Sequence, residues 1–480
     1  MEARDFLLMR HELLLVIAAL GVLVIDLALP REKRKTIVLP ATVIFALVTI
    51  IGFFPCDDGI LFGGMYRTNA LIVLMKNILN FGVLLVFMQS GSWFRKDSEL
   101  NNRVSEFFIL ILSTLIGMNF MISSGDFLMF YIGLELSTIP IAALAAYDRS
   151  KQKSAESGIK MILSAALASG ATLFGISFLY GVTGSVYFHE VQPALAAMAG
   201  EETNPMLVLG TIFFFTGLAF KISIVPFHLW TADVYEGAPV PVTSYLSVIS
   251  KGAAVFIFII VLFTVFPQHS ELWRNIVYGA AILTMTIGNL FAIRQQNLKR
   301  FLAFSSVAQA GFILLGVIAG TQTGMSSVIY FILIYVFSNL GAFGVVAAIQ
   351  SETGLENRDD YNGLYKTNPK LSLVMTLSLF SLAGIPPVAG FFGKFFLFTA
   401  AAEQGFYLLV LIATLNAIVS LYYYLLVVKA MFIMKTDSPV PAFQSDNLTR
   451  AGLVICVIGM IAIGFIRPLF DVIFKLSIGI

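Results

Sequence analysis

Lys221, Lys251 and Lys394 each stand in an apolar run long enough to cross a membrane, and Glu135 stands in a fourth. A lysine near the middle of a spanning helix costs roughly 2.5–3.5 kcal/mol by insertion scales, so several at depth point to a path for charge. Lys221 and Lys251 flank a proline-rich, aromatic break, Pro226-Phe227-His228-Leu229-Trp230 through Gly237-Ala238-Pro239-Val240-Pro241. Lys394 follows a second break, Gly384-Ile385-Pro386-Pro387-Val388-Ala389-Gly390. At a break, freed backbone carbonyls and water can solvate a cation. Glu135 lies ten residues into its run, about 15 Å deep at 1.5 Å per residue. That is near the midplane of a core about 30 Å thick, and Lys251 lies at a similar depth.

The chemistry such a set supports is a proton relay. Burial and an adjacent carboxylate pull a lysine's proton affinity in opposite directions, so a Lys–Glu pair has adjustable basicity. Glu135 is expected to pair with Lys221, and movement of the counter-charge would drive the proton onward. The bland alternative is a fixed buried ion pair holding helices together. His228, beside the first break, either passes a proton or is satisfied by backbone. Lys76 reads as a partner-facing or packing charge, Lys429 as snorkelling to the surface, and Asp26 as interfacial. Asn289, Gln309, Asn339 and Asn416 either hold water between the lysines or join helices. Tyr422, Tyr423 and Tyr424 read as packing or an interface belt.

A span needs about 20 mostly apolar residues. That rule gives fourteen: 11–29, 36–54, 69–90, 106–122, 125–146, 158–180, 206–236, 240–266, 273–293, 301–320, 325–349, 371–402, 406–432 and 450–470. The seventh and twelfth are long because each contains a break. Interrupted helices in matching positions of two halves suggest an inverted repeat. The expected fold is an all-α polytopic membrane protein of about 14 transmembrane helices, with two inverted five-helix repeats and two broken helices. The chain then reads as one membrane domain, 1–480. It divides into N-terminal helices at 1–105, a first repeat at 106–266, a second at 273–432 and a last helix at 450–470. The first span has charged flanks, Glu2, Arg4, Asp5, Arg10 and Glu12, and no small-residue cleavage site, so it reads as retained.

Composition agrees. Of 480 residues, 58% are hydrophobic and 12% charged, against about 25% charged in soluble domains. The formal charge of +2 offers no basic patch for nucleic acid. Two cysteines, Cys56 and Cys456, cannot supply a four-thiolate iron–sulfur cluster. The histidines, His11, His189, His228 and His269, share no helical-turn spacing, which disfavours a bound metal or haem. With the N-terminus outside, nineteen basic residues fall on cytoplasmic connections and six on outer ones. That bias fits the positive-inside rule and places both termini on the outer, periplasmic side of a bacterial inner membrane.

Several segments carry a resemblance: Gly133-Leu134-Glu135-Leu136; Lys153-Ser154-Ala155-Glu156 with Lys160; Tyr180-Gly181-Val182-Thr183-Gly184-Ser185; Phe220-Lys221 through Trp230; Asp233-Val234-Tyr235-Glu236-Gly237-Ala238-Pro239; Lys299-Arg300 through Gln309; and Gly384-Ile385-Pro386-Pro387 with Gly390 to Phe395. Across about 125–400 the chain resembles the antiporter-like membrane subunits of respiratory NADH–quinone oxidoreductase, complex I. Lysine at 394, where one branch carries glutamate, and the absence of a long lateral helix narrow the resemblance to one branch. Ser157-Gly158 with Met161 depart from the family pattern, which commonly has alanine and an aromatic there. The resemblance implies a proton pathway through Glu135, Lys221, Lys251 and Lys394, with His228 beside it. It also implies partners: the other membrane and hydrophilic subunits, which would hold NADH, FMN, iron–sulfur clusters and quinone. This chain would bind none of these itself. A subunit of a multisubunit cation/proton antiporter is the alternative. Against it, a sodium site wants several oxygen ligands at a break, and these breaks offer lysines. A purely structural scaffold is disfavoured by four midplane charges.

Overall fold

A computed structural model describes residues 5–96, 102–198, 204–267 and 270–477. Glu2, Arg4 and His269, which entered the sequence reading, lie outside these residues. The chain is helical almost throughout. Its N-terminal helices are α1 (Arg10–Ala28), α2 (Val38–Gly52) and α3 (Ala70–Lys96). Next come α4 (Val104–Ile122), α5 (Phe127–Ala145), α6 (Gln152–Thr183), the short α7 (Phe188–Ala197) and α8 (Pro205–Ile222). After the first break come α9 (Leu229–Gly237), α10 (Val240–Tyr245) and α11 (Lys251–Thr264). Then follow α12 (Ser270–Ile293), α13 (Leu298–Ala319), α14 (Gln322–Thr353), one turn at α15 (Leu364–Thr367) and α16 (Pro369–Ala383). After the second break, α17 (Ala389–Glu403), α18 (Tyr407–Phe432), α19 (Asn447–Phe465) and α20 (Arg467–Leu476) complete the chain.

Among the described residues, thirteen helices are long and apolar enough to cross a membrane. The one expected span not among them is the twelfth, 371–402, which contains the second break. It appears as the two fifteen-residue helices α16 and α17, neither long enough alone. Burial grades from centre to rim. The apolar stretch of α13 is entirely buried and that of α14 94% buried, whereas those of α1 and α18 are 28% and 33% buried. The exposed faces of α1 and α18 are rows of large apolar side chains, such as Val24, Leu27, Leu408 and Leu415. Such faces suit lipid or a membrane partner.

Besides the short helices α7, α15 and α20, two elements escaped the sequence reading. Strands β1 (Gly59–Leu61) and β2 (Tyr66–Thr68) form an antiparallel hairpin, with Ile60 opposite Arg67. Its strands are too short for an alternating pattern to stand out. The other is a π-helical segment, Leu246–Ser250, immediately before Lys251. Nothing in the residue order marks where one extra residue enters a turn, yet such bulges collect at functional sites.

Both breaks end their first half-helix in the same way. Ser223 and Gly384 take left-handed φ values of 66° and 86°. Ile224 N–H then reaches back to Ala219 O at 2.9 Å, and Ile385 N–H to Phe380 O at 3.0 Å. This is the Schellman arrangement. Glycine takes that conformation freely, but serine does so at a cost of about 1–2 kcal/mol. Ser223 is held by a 2.8 Å hydrogen bond from the Thr231 hydroxyl, and Trp230 Nε1 donates to Phe220 O at 3.0 Å. The start of α9 thus caps the end of α8.

Candidate functional site

Lys221 occupies the last turn of α8 and is buried. Its ammonium donates to the Ser137 hydroxyl on α5. Ser137 in turn donates to Leu134 O at 2.8 Å. Glu135 is half-buried on the same helix, and its carboxylate accepts from the Ser169 hydroxyl on α6. Tyr131 shares that serine at 3.0 Å. Among the described residues no direct salt bridge joins Glu135 to Lys221, but the carboxylate stands close enough for its charge to act on the ammonium. Residues two apart on a helix point about 200° apart. Ser137 therefore takes the α8 side of α5, and Glu135 the α6 side. Gly117 and Gly133 let α4 and α5 cross at backbone contact, since a Cβ on Gly133 would meet the Met121 backbone at 2.5 Å.

Lys251 opens α11 directly after the π-helical segment. It donates to Ser306 on α13, at 3.0 Å to the carbonyl and 2.9 Å to the hydroxyl. Lys394 lies on α17, donates to Ala383 O at 3.0 Å and sits 4.4 Å over the Phe312 ring. Ala383 is the last residue of α16, where carbonyls lose their helical partners. Gln309 Nε2 takes the neighbouring Leu382 carbonyl at 2.9 Å. A side chain at Gly390 would collide with the Ser381 carbonyl, so glycine there lets the halves meet.

A polar face of α13 lies between Lys251 and Lys394. Ser305 meets the Tyr424 hydroxyl at 2.5 Å, and Gln309 Nε2 lies 3.2 Å from the same hydroxyl. Ser305 and Gln309 are four residues apart and share this face. The hydroxyls of Tyr235 and Tyr335 are buried beside Ser306, and the Oε1 of Gln309 is buried without a hydrogen-bond partner among the described residues. Buried polar atoms of this kind are normally satisfied by water. Tyr424, read as packing from sequence, belongs to this polar face, while Tyr422 is exposed. Asn339 on α14 donates to Ser247 in the π-helical segment at 2.7 Å.

Other candidates stand elsewhere. His228 is buried at the start of α9, and its Nδ1 has no partner among the described residues. Asn289 and Asn416 bond each other at 2.9 Å, with Tyr423 on Asn289 at 2.8 Å, so they fasten α12 to α18. Asp26 pairs with Arg34 at 3.3 Å, and Lys429 is exposed near the end of α18. Lys76 is not partner-facing. It is 1% exposed and pairs with Glu12 at 2.6 Å, and both contact the Tyr66 hydroxyl at 3.0 Å. That ion pair ties α1 to α3 and β2.

The charged motif residues form a network at one end of the bundle. Lys153 pairs with Glu236 at 2.8 Å, and Lys160 with Asp233 at 2.6 Å. Arg300 reaches Asp233 at 2.6 Å and Glu236 at 3.0 Å. Lys299 pairs with Glu356 at 3.3 Å. These contacts tie α6, α9 and α13 beyond the first break. Sequence alone quoted the residues without giving them partners.

Broken helices carrying buried lysines, packed around a polar central face, define an ion-translocating membrane protein of the antiporter type. The chain belongs to the NADH:quinone oxidoreductase/Mrp antiporter transmembrane family, whose pattern matches residues 124–420. It is 48% identical over 472 residues to the NADH-quinone oxidoreductase subunit N of Phocaeicola vulgatus, covering 98% of each chain. A chain of respiratory complex I from Thermus thermophilus with bound aureothin shares the fold. Its TM-score is 0.77 at 26% identity, over 96% of this chain and 98% of that one. A chain of the Mrp complex from Dietzia sp. DQ12-45-1b superposes with a TM-score of 0.83 at 20% identity, over 98% of this chain and 97% of that one.

Proposed function

We propose that this chain is a proton-translocating membrane subunit of an NADH–quinone oxidoreductase, working beside partner subunits that carry the redox centres and quinone. One observation carries the relay. Lys221, Lys251 and Lys394 are all buried, and their bonds run to serine and backbone oxygens. None of the three has a carboxylate ion pair among the described residues, in contrast to Lys76 with Glu12. A lysine held by neutral oxygens can release and regain its proton without leaving a stranded carboxylate. Glu135, one helix face away from Lys221, is placed to act as a counter-charge rather than as a fixed partner. The proton would pass from Lys221 to Lys251, then along Ser306, Ser305, Tyr424 and Gln309 with water to Lys394. His228 is a side candidate. Moving one proton against 100 mV costs about 2.3 kcal/mol, which quinone reduction elsewhere must supply. The full-length similarity to subunit N relatives supports this reading over a cation/proton antiporter, because the likeness to the Mrp chain at 20% identity speaks for fold alone.

The test is NADH-fed inverted vesicles from the source organism. Proton uptake is expected with the chain present, and deletion of its gene should abolish it. Unchanged uptake in the deletion strain would overturn the reading.

We further infer a bundle of two inverted five-helix repeats, 106–266 and 273–432, flanked by helices at 1–105 and 450–470. The matched Schellman ends at Ser223 and Gly384 support that pairing. The charge bias supports outer-side termini in a bacterial inner membrane. A reporter fused after Lys35 should read cytoplasmic, and one within 181–205 should read external. The opposite reading at either site refutes the orientation.

A further inference from the structure

Lys394 lines a cavity. About 320 Å³ of space lies between α17 and α18, bounded by Ala383 and Gly384 at the break, Phe391, Phe395 and Phe398 on α17, and Ala417 on α18. The volume falls at the lower end for small-molecule sites. The lining is almost wholly apolar, and the one charged residue in it is Lys394. Its ammonium makes one hydrogen bond, to Ala383 O. An ammonium has three donors, so two are uncommitted to protein.

The mouth faces the apolar exterior. Phe395 at the rim is 53% exposed, and Leu411 and Ile418, each one residue along α18 from the lining Val410 and Ala417, are also exposed. An occupant arriving this way must carry an apolar tail. To gain from the uncommitted donors it must also carry an anionic head, because burying a cation without a partner is costly and a charge-assisted bond is about twice as strong as a neutral one.

We propose that the groove between α17 and α18 binds a single-chain amphiphilic carboxylate, of the fatty-acid class, with its head on Lys394 and its tail against Phe391, Phe395 and Phe398. A carboxylate seated there would fix the positive charge on Lys394 and so hold back proton release. The binding half of this inference rests on the groove and the charge, and it holds whether or not Lys394 carries a proton. Only the inhibition rests on the relay reading.

The experiment uses the assembled complex in nanodiscs and a fatty acid bearing a photoreactive tail, without turnover. Label is expected on peptides of α17 and α18. Oleate should compete at least about five-fold better than methyl oleate, the difference expected of a charge-assisted contact. Ala417→Phe, which narrows the groove and keeps Lys394, should abolish the label. If that variant fails to assemble on native gels, Ala402→Leu on the opposite wall replaces it. Equal competition by the ester would show a groove that takes any lipid tail and would overturn the proposal, as would label persisting in the narrowed groove. Oleate that labels but leaves proton uptake untouched would overturn the inhibition and leave the site standing.

Discussion

Lys221→Ala is expected to cut NADH-driven proton uptake by at least about ten-fold, a conservative bound against the roughly 10²–10⁴-fold that a positioned acid–base group contributes, while the complex still assembles. Assembly survives because the substitution strands nothing. Ser137 keeps its bond to Leu134 O at 2.8 Å, and the break is capped by Trp230 and Thr231, neither of which touches Lys221. Glu135→Ala should do comparable damage for a different reason: it removes the counter-charge but leaves Ser169 bonded to Tyr131. Glu135→Asp should retain more activity than Glu135→Ala, since the charge matters more than the reach. Uptake and coupled quinone reduction are measured in inverted vesicles, with assembly checked on native gels. Assembled complexes that pump normally in both alanine variants would refute the relay.

Lys394 offers the second large effect, and its surroundings sharpen the expectation. Arginine in its place can still donate to Ala383 O and lie over Phe312, the two contacts lysine makes. The fold should therefore be kept. Yet a guanidinium effectively never deprotonates in a protein, so a group that must release a proton is lost. Lys394→Arg should impair pumping about as much as Lys394→Ala. Lys394→Glu keeps a titratable group, and in its protonated form it can donate to Ala383 O. Partial pumping is expected there, because no positive charge remains to push the proton outward. Full activity in the arginine variant would mean that Lys394 supplies only a fixed charge.

The sequence by itself determined that the chain is a set of apolar helices long enough to span a membrane, where the two breaks fall, and which ionisable residues stand within apolar runs. It could do so because the bilayer imposes a length and a composition that are read along one dimension. Proline and glycine at the breaks, and charges within apolar runs, are local signals of the same kind. Who meets whom across helices was decided only by tertiary structure. Glu135 and Lys221 are near enough for their charges to interact, but their hydrogen bonds go elsewhere, because residues 135 and 137 point about 200° apart on α5 and so meet Ser169 and Lys221 respectively. Lys76 read as a partner-facing or packing charge because its ion-pair partner, Glu12, lies on another helix and is 64 residues away in sequence. Tyr424 joined the polar face only when α18 packed against α13. The π-helical turn before Lys251 and the groove beside Lys394 left no trace in composition. The first is one extra residue in an apolar helix, and the second is space between two helices that sequence order does not encode.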